Sequence, residues 1–80
     1  MMHNFGPRYQ SVELCGSMDE WKTRHNMNFD HFTNQWFITL HLQKGKYLYK
    51  YVVNKTNWVV NDKEPREKDV QGNINNVLVL

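Results

Sequence analysis

Residues 35–54, Gln35-Trp36-Phe37-Ile38-Thr39-Leu40-His41-Leu42-Gln43-Lys44-Gly45-Lys46-Tyr47-Leu48-Tyr49-Lys50-Tyr51-Val52-Val53-Asn54, decide the fold class. Trp36, Ile38, Leu40 and Leu42 alternate with Phe37, Thr39 and His41, the period-two pattern of a strand with one apolar face. Gln43-Lys44-Gly45-Lys46 reads as a hairpin loop whose glycine can take a positive φ without steric cost. Alternation then resumes over Tyr47 to Asn54. Tyr47, Tyr49, Tyr51 and Val53 share one face, while Leu48, Lys50 and Val52 share the other.

Outward from this stretch the chain keeps breaking into short strands. Tyr9 to Cys15 reads as a strand with Val12 and Leu14 on one face, stopped by Gly16-Ser17. Met2 to Phe5 reads as a short first strand ended by Gly6-Pro7. Met18 to Asn34 is polar and irregular, with room for a short strand within Asn26 to Phe32. A turn over Asn54 to Asn57 leads into Trp58-Val59-Val60, Asn61 to Gly72 is a charged loop containing Pro65, and Ile74 to Leu80 is a terminal strand. No segment carries a long helical stripe. The pattern predicts an all-β antiparallel sandwich of two sheets. Its expected core is Val12, Leu14, Trp36, Ile38, Leu40, Leu42, Tyr47, Tyr49, Tyr51, Val53, Ile74 and Val77.

With 80 residues the chain is expected to form a single domain, 1–80, too small to build both a core and a deep catalytic cleft. A net charge of +2, scattered along the chain, points away from nucleic acid and from an anionic membrane surface. Met1 to Gln10 has no apolar run of the signal-peptide kind, and no stretch approaches ~20 apolar residues, so neither a leader nor a membrane span is expected. The single cysteine, Cys15, rules out an internal disulfide and reads as a small buried hydrophobe, in keeping with a reducing compartment. His3, His25, His31 and His41 lack metal-ligand spacing, so no metal or cofactor is expected. There is no phosphate loop and no nucleophile elbow. The acids Asp62, Glu64, Glu67 and Asp69 read as a solvated loop rather than a hydrolytic pair, so no catalytic residue is expected.

What remains are side chains off the core pattern. Trp21 follows a turn, Trp58 follows a hairpin turn, and Lys50 points away from the Tyr47/Tyr49/Tyr51 face. Gly72-Asn73-Ile74-Asn75-Asn76 is rich in amides. A sugar ring offers an apolar CH face that stacks on indole, and hydroxyls that need both donors and acceptors, which Asn supplies and Lys supplies in part. Each feature also has a plain reading: an off-core tryptophan as a corner plug, and a mid-strand lysine as a snorkelling surface group.

Taken in order, these residues resemble a known family. Cys15-Gly16-Ser17-Met18-Asp19-Glu20-Trp21 resembles the Ser-Gly-Ser-Phe-Asn-Asn-Trp motif of glycogen-binding modules, carbohydrate-binding module family 48. That family is found in beta subunits of AMP-activated protein kinase, in plant glucan phosphatases and in starch-branching enzymes. Leu42 to Asn54 is similar to the family's Leu-Pro-Glu-Gly-x-x-x-Tyr-Lys-Phe-x-Val-Asp segment, and Trp58, Glu64-Pro65 and Gly72 to Asn76 follow in the family order. The likeness spans roughly Val12 to Leu80.

The resemblance implies an immunoglobulin-like β-sandwich that binds α-glucan (glycogen, starch, maltodextrin or cyclodextrin) without catalysis. It implies that Trp21 and Trp58 stack on glucose units, that Lys50, Asn73 and Asn75 hydrogen-bond hydroxyls, and that Gln71 lies at the periphery. It also implies targeting of a kinase or phosphatase catalytic domain or subunit to the polymer. The expected location is the cytoplasm, or the plastid where a parent protein carries a transit peptide. The departures are Met18 for Phe, Asp19-Glu20 for Asn-Asn, Gln71 for a Leu that contacts sugar, and one extra residue in the turn before Trp58. They keep a second reading open, a protein-interaction or scaffold module on the same fold, with Trp21 and Trp58 as interface anchors.

Overall fold

The computed structural model describes residues 2–3, as backbone, and 9–80. Among the described residues nine strands follow in chain order: β1 Met2–His3, β2 Val12–Gly16, β3 His25–Asn26, β4 Asn28–Asp30, β5 Gln35–Phe37, β6 Lys46–Val53, β7 Asn57–Val59, β8 Arg66–Lys68 and β9 Ile74–Val79. A single 3-10 turn, Ser17–Asp19, follows β2, and the described residues hold no α-helix. The strands form two antiparallel sheets. The smaller has the order β1-β5-β4, and the larger β3-β2-β6-β9-β8 with β7 also on β6. The chain is an all-β sandwich.

Strand β6 organises the larger sheet. Along one edge, Tyr49 to Val53 pair with Gly16 to Val12 of β2. Along the other edge, Lys46 to Tyr49 pair with β9 and Tyr51 to Val53 pair with β7. Where β2 ends, the Leu48 N–H donates to Ser17 Oγ at 2.9 Å, so a side chain continues a ladder that the backbone has left. Gly16 makes that possible. Its backbone is extended (φ −169°), and a Cβ there would lie 2.6 Å from the Leu48 carbonyl oxygen.

The two faces of β6 divide the labour. Tyr49, Tyr51 and Val53 turn inward onto Val12 and Leu14 of β2 and onto Met27, Trp36 and Ile38 from the side of the smaller sheet. Phe29 meets Trp36 edge to face at 5.3 Å. The inner tyrosines carry hydroxyls that need partners. Tyr49 and Tyr51 both donate to Glu64 Oε1, at 3.0 and 2.7 Å. Asn76 is fully buried on the same side. Its Oδ1 accepts from the Asn61 N–H at 2.8 Å, and its Nδ2 donates to the carbonyls of Asn61 and Pro65 at 3.0 and 3.1 Å. These bonds fasten the connection between β7 and β8 to the sheet. Glu64 and Asn76, which the sequence placed in a solvated loop and an amide-rich sugar stretch, are thus structural groups.

Several expectations need correcting. The run 35–42 is a strand only over Gln35–Phe37, and it does not form a hairpin with β6. Residues 38–45 cross from the smaller sheet to the larger, and the edge of β6 that such a hairpin would use is taken by β9. Gly45 and Leu80 extend that pairing with reciprocal N–H···O bonds of 3.1 and 2.9 Å. The alternation over 35–42 still reports burial: Ile38 is buried, Leu40 packs on the core and Leu42 is half-buried. Ile74 is not core but 45% exposed at the sheet edge beside β8. Val77 is half-buried on the outer face opposite Leu48, and Tyr47 is half-buried with its hydroxyl on the Gln43 carbonyl. Strand β8 lies within the expected loop 61–72. Of the first expected strand only Met2–His3 is described as strand, and its Phe5 end and Gly6-Pro7 stop lie outside the described residues.

Two predictions follow from this packing. Gly16→Ala should lower stability by about 1–3 kcal/mol, because the clash is with backbone that no rotamer change can move. An unchanged urea midpoint would show that β6 yields at Leu48. The second concerns alkali. Burial first, and then the Glu64 carboxylate, push the Tyr49 and Tyr51 phenols well above the usual tyrosine range. The unfolded chain therefore gives up these protons first as pH rises. Their contribution is complete below the ordinary tyrosine value of about 10 and is lost as pH climbs past it. Urea midpoints should hold between pH 7 and 9 and fall above pH 10, with a shallower fall in Tyr51→Phe.

Candidate functional site

The outer face of the larger sheet carries the candidate site. Alternation along β6 turns Leu48, Lys50 and Val52 outward, and the register sets Cys15 of β2 opposite Lys50 and Trp58 of β7 opposite Val52. On β9 the same alternation turns Asn75 outward, next to Asn76, whose side chain points in.

Trp21 reaches this face through a tight reversal. The chain leaves β2, makes the 3-10 turn, and folds back so that the Trp21 N–H donates to the Gly16 carbonyl at 2.8 Å. Both Glu20 (φ 61°) and Trp21 (φ 63°) adopt left-handed backbone, which costs about 1 kcal/mol or more per non-glycine residue. Underneath sits Cys15, 1% exposed, whose Sγ–H donates to the Trp21 carbonyl at 3.6 Å. Burial pushes its thiol up, so it stays protonated and inert at neutral pH.

Trp58 is presented by a second reversal of the same kind. The β6–β7 turn runs through Asn54 (φ 50°) and Lys55 (φ 68°), closed by the Thr56 N–H on the Val53 carbonyl at 3.3 Å. The Arg24 guanidinium lies over the Trp58 ring, 5.2 Å from its centroid. Trp21 and Trp58 remain 38% and 46% exposed, large apolar areas that a folded chain normally covers.

The loop after β8 completes the wall. Asp69 Oδ1 accepts the backbone N–H groups of Gln71 and Asn73, each at 2.9 Å, and Asp69 Oδ2 lies 3.5 Å from Asn75 Nδ2. The Asp69 N–H donates to the Asn73 carbonyl at 2.8 Å, and the Gly72 N–H to the Asp69 carbonyl at 3.0 Å, with Gly72 at φ 89°. These bonds, the Asn73 N–H foremost, hold the Asp69 carboxyl below the usual carboxylate range.

The result is an open concavity of about 400 Å³ lined by Trp21, Leu48, Lys50, Trp58, Asp69, Gln71, Asn73 and Asn75. All six residues singled out from the sequence line it, although they come from four separate stretches of the chain. Two lining residues were missed. Leu48 supplies an apolar floor and was legible as Lys50's neighbour on the outward face. Asp69 was read as solvent-facing; the signal that could have found it is an Asp two and four residues before Gln71 and Asn73, the spacing of a side chain that caps its own turn. Among the described residues no cluster of three or more His, Cys, Asp or Glu could hold a metal ion.

The acidic pair beside Trp21 is engaged. Asp19 Oδ2 accepts from His25 Nε2 at 2.8 Å, and Glu20 pairs with Lys22 at 3.1 Å. The concavity therefore offers two indole surfaces, the Leu48 side chain, one ammonium, one carboxylate and several amides, a surface for a neutral ligand with flat apolar patches and many hydroxyls.

Comparison with known proteins agrees with this chemistry. No curated protein matches the chain significantly. The family model for the glycogen recognition site of AMP-activated protein kinase matches residues 5–80, nearly the whole sequence. The chain belongs to that family of glycogen-recognising carbohydrate-binding modules.

Proposed function

We propose that this module binds α-glucan across the outer face, with Trp21 and Trp58 stacking on glucose rings and Lys50, Asn73 and Asn75 bonding the hydroxyls. The observation that carries the reading is convergence: residues scattered over more than fifty positions line one concavity on the sheet face turned away from the core. Gln71 adds an amide where kinase beta subunits of the family carry a Leu. The site is open and shallow, so affinity for short sugars falls on the order of μM to mM, and a branched polymer raises it by offering many ends.

The job of such a module is targeting. It brings an attached or partner enzyme to the polymer, and a kinase subunit or a glucan phosphatase fits the family. The inert, buried Cys15 thiol is compatible with a reducing compartment, and we place the module in the cytoplasm, or in the plastid for a parent with a transit peptide. Protein docking on the same face remains the second reading, favoured by Gln71. Of the Asp19-Glu20 pair that also spoke for it, Asp19 is hydrogen-bonded to His25 and Glu20 is paired with Lys22 at the surface.

Titrating maltoheptaose or β-cyclodextrin into 15N-labelled protein should move the indole signals of Trp21 and Trp58 together and leave that of buried Trp36 still. Stillness of all three at millimolar sugar would overturn the glucan reading and send the search to protein partners. A second expectation concerns Asp69. Asp69→Ala should weaken sugar binding about three- to tenfold by freeing Gln71 and Asn73, with little change in the urea midpoint. Asp69→Asn, which keeps an acceptor oxygen, should recover most of it. Because the folded carboxyl titrates low, its hold on the loop is complete above the ordinary aspartate value of about 4 and is lost only as pH falls through the lowered one. Binding measured between pH 7 and 5 should therefore show no loss from this loop.

A further inference from the structure

Strand β3 is two residues long, yet the dipeptide Arg24-His25 at its start touches both tryptophan-bearing turns. Pairing of His25 with Leu14 and of Asn26 with Glu13 sends neighbouring side chains to opposite sides of the sheet edge. Arg24 falls on the outer side. Its guanidinium has three fixed points on three elements. It lies over the Trp58 ring, its Nη1 donates to the Lys55 carbonyl at 3.1 Å, and it stands 3.8 Å from Glu13 Oε1. That Glu13 oxygen is buried and takes no hydrogen bond among the described residues, so the guanidinium is its counter-charge. Arg24 thus covers one face of the Trp58 ring without itself lining the concavity.

His25 does the corresponding work for Trp21. Its Nε2 bonds Asp19 Oδ2 at 2.8 Å, with both side chains about three-quarters buried. The other Asp19 oxygen is buried without a hydrogen bond among the described residues, which leaves the imidazole as the partner that keeps this carboxylate in place. Asp19 immediately precedes the left-handed pair Glu20-Trp21. A turn held in that backbone needs external bonds to persist, and the His25–Asp19 bond ties its entry to β3.

We propose that Arg24 and His25 are positioning residues of the glucan platform, Arg24 setting the Trp58 ring and His25 setting the turn that carries Trp21. The proposal rests on the glucan reading above. A rigid sugar-stacking platform binds better the less its rings must be ordered on contact, so loosening either ring costs affinity without removing a sugar contact.

The test compares wild type with Arg24→Ala, His25→Ala and His25→Gln, recording indole spectra without sugar, β-cyclodextrin affinity by calorimetry and urea midpoints. Arg24→Ala should move the Trp58 indole signal, spare that of Trp21, and weaken binding about three- to tenfold. His25→Ala should move the Trp21 signal with a similar loss. His25→Gln, whose amide keeps a donor for Asp19, should bring both signal and affinity back toward wild type. Should alanine at 24 unfold the edge, Arg24→Gln repeats the Trp58 test with part of the stem retained. Wild type that binds, with folded variants that bind equally well or keep their indole signals, overturns the positioning role alone. Wild type that binds no sugar overturns the glucan reading, and the positioning role with it.

Discussion

Everything in this fold depends on the backbone pairing of one strand, Lys46–Val53. It hydrogen-bonds to β2 on one edge and to β9 and β7 on the other, so three segments far apart in sequence take their register from it. A strand has two faces and a period of two, and this one uses both. Tyr49, Tyr51 and Val53 close the core, while Leu48, Lys50 and Val52 floor the outer face. A one-residue slip would exchange the two sets, exposing the tyrosines and burying the Lys50 ammonium. Register is therefore fixed by the core, and the site inherits its geometry from that choice.

The outer face is built at local expense. Both tryptophans are delivered by pairs of left-handed, non-glycine residues, Glu20-Trp21 and Asn54-Lys55. Neither strain nor exposed indole helps a small domain to fold. The surroundings hold the turns instead. Beneath Trp21 the Cys15 thiol bonds its carbonyl, and beside Trp58 Arg24 bonds the carbonyl of Lys55. Val52, on the face away from the core, is 0% exposed, so side chains cover the sheet there as well. Strain that persists where large apolar groups stay exposed is the mark of a surface shaped for contact rather than for stability.

Alternation made the faces legible in the sequence but not the partners. Trp36, Ile38, Tyr49, Tyr51 and Val53 lie inside as read, and Lys50 outside, because burial follows the period of two whatever pairs with the strand. The run 38–42 shows the limit. Its pattern is that of a strand, yet it crosses between sheets, since β9 takes the edge it would have used, and nothing local in 35–54 announces the competitor. Polar groups were hardest to place. Glu64 and Asp69 sit in a stretch whose composition says loop and Asn76 in the terminal strand, and each has a different job: receiving two tyrosine hydroxyls, capping a turn, and stitching a connection to β9. Those jobs depend on contacts 11 to 15 residues away for Glu64 and Asn76, and only the Asp69 turn is local enough to be read from spacing.

The acidic groups near the tryptophans pose an apparent contradiction in the site. A neutral polysaccharide is poorly served by a strongly charged face, and the sequence sets three carboxylates near Trp21 and the amide loop. Asp19 is bonded to His25, Asp69 accepts the backbone N–H groups of Gln71 and Asn73, and Glu20, largely exposed, pairs with Lys22. A carboxylate that accepts two backbone N–H bonds has little capacity left to demand a cation, and it fixes the loop it caps. Acidic residues here act as braces for indoles and amides. Replacing Asn-Asn by Asp-Glu before Trp21 therefore changes how the turn is fastened, through the Asp19–His25 bond, and adds one exposed carboxylate that Lys22 of the same short segment pairs.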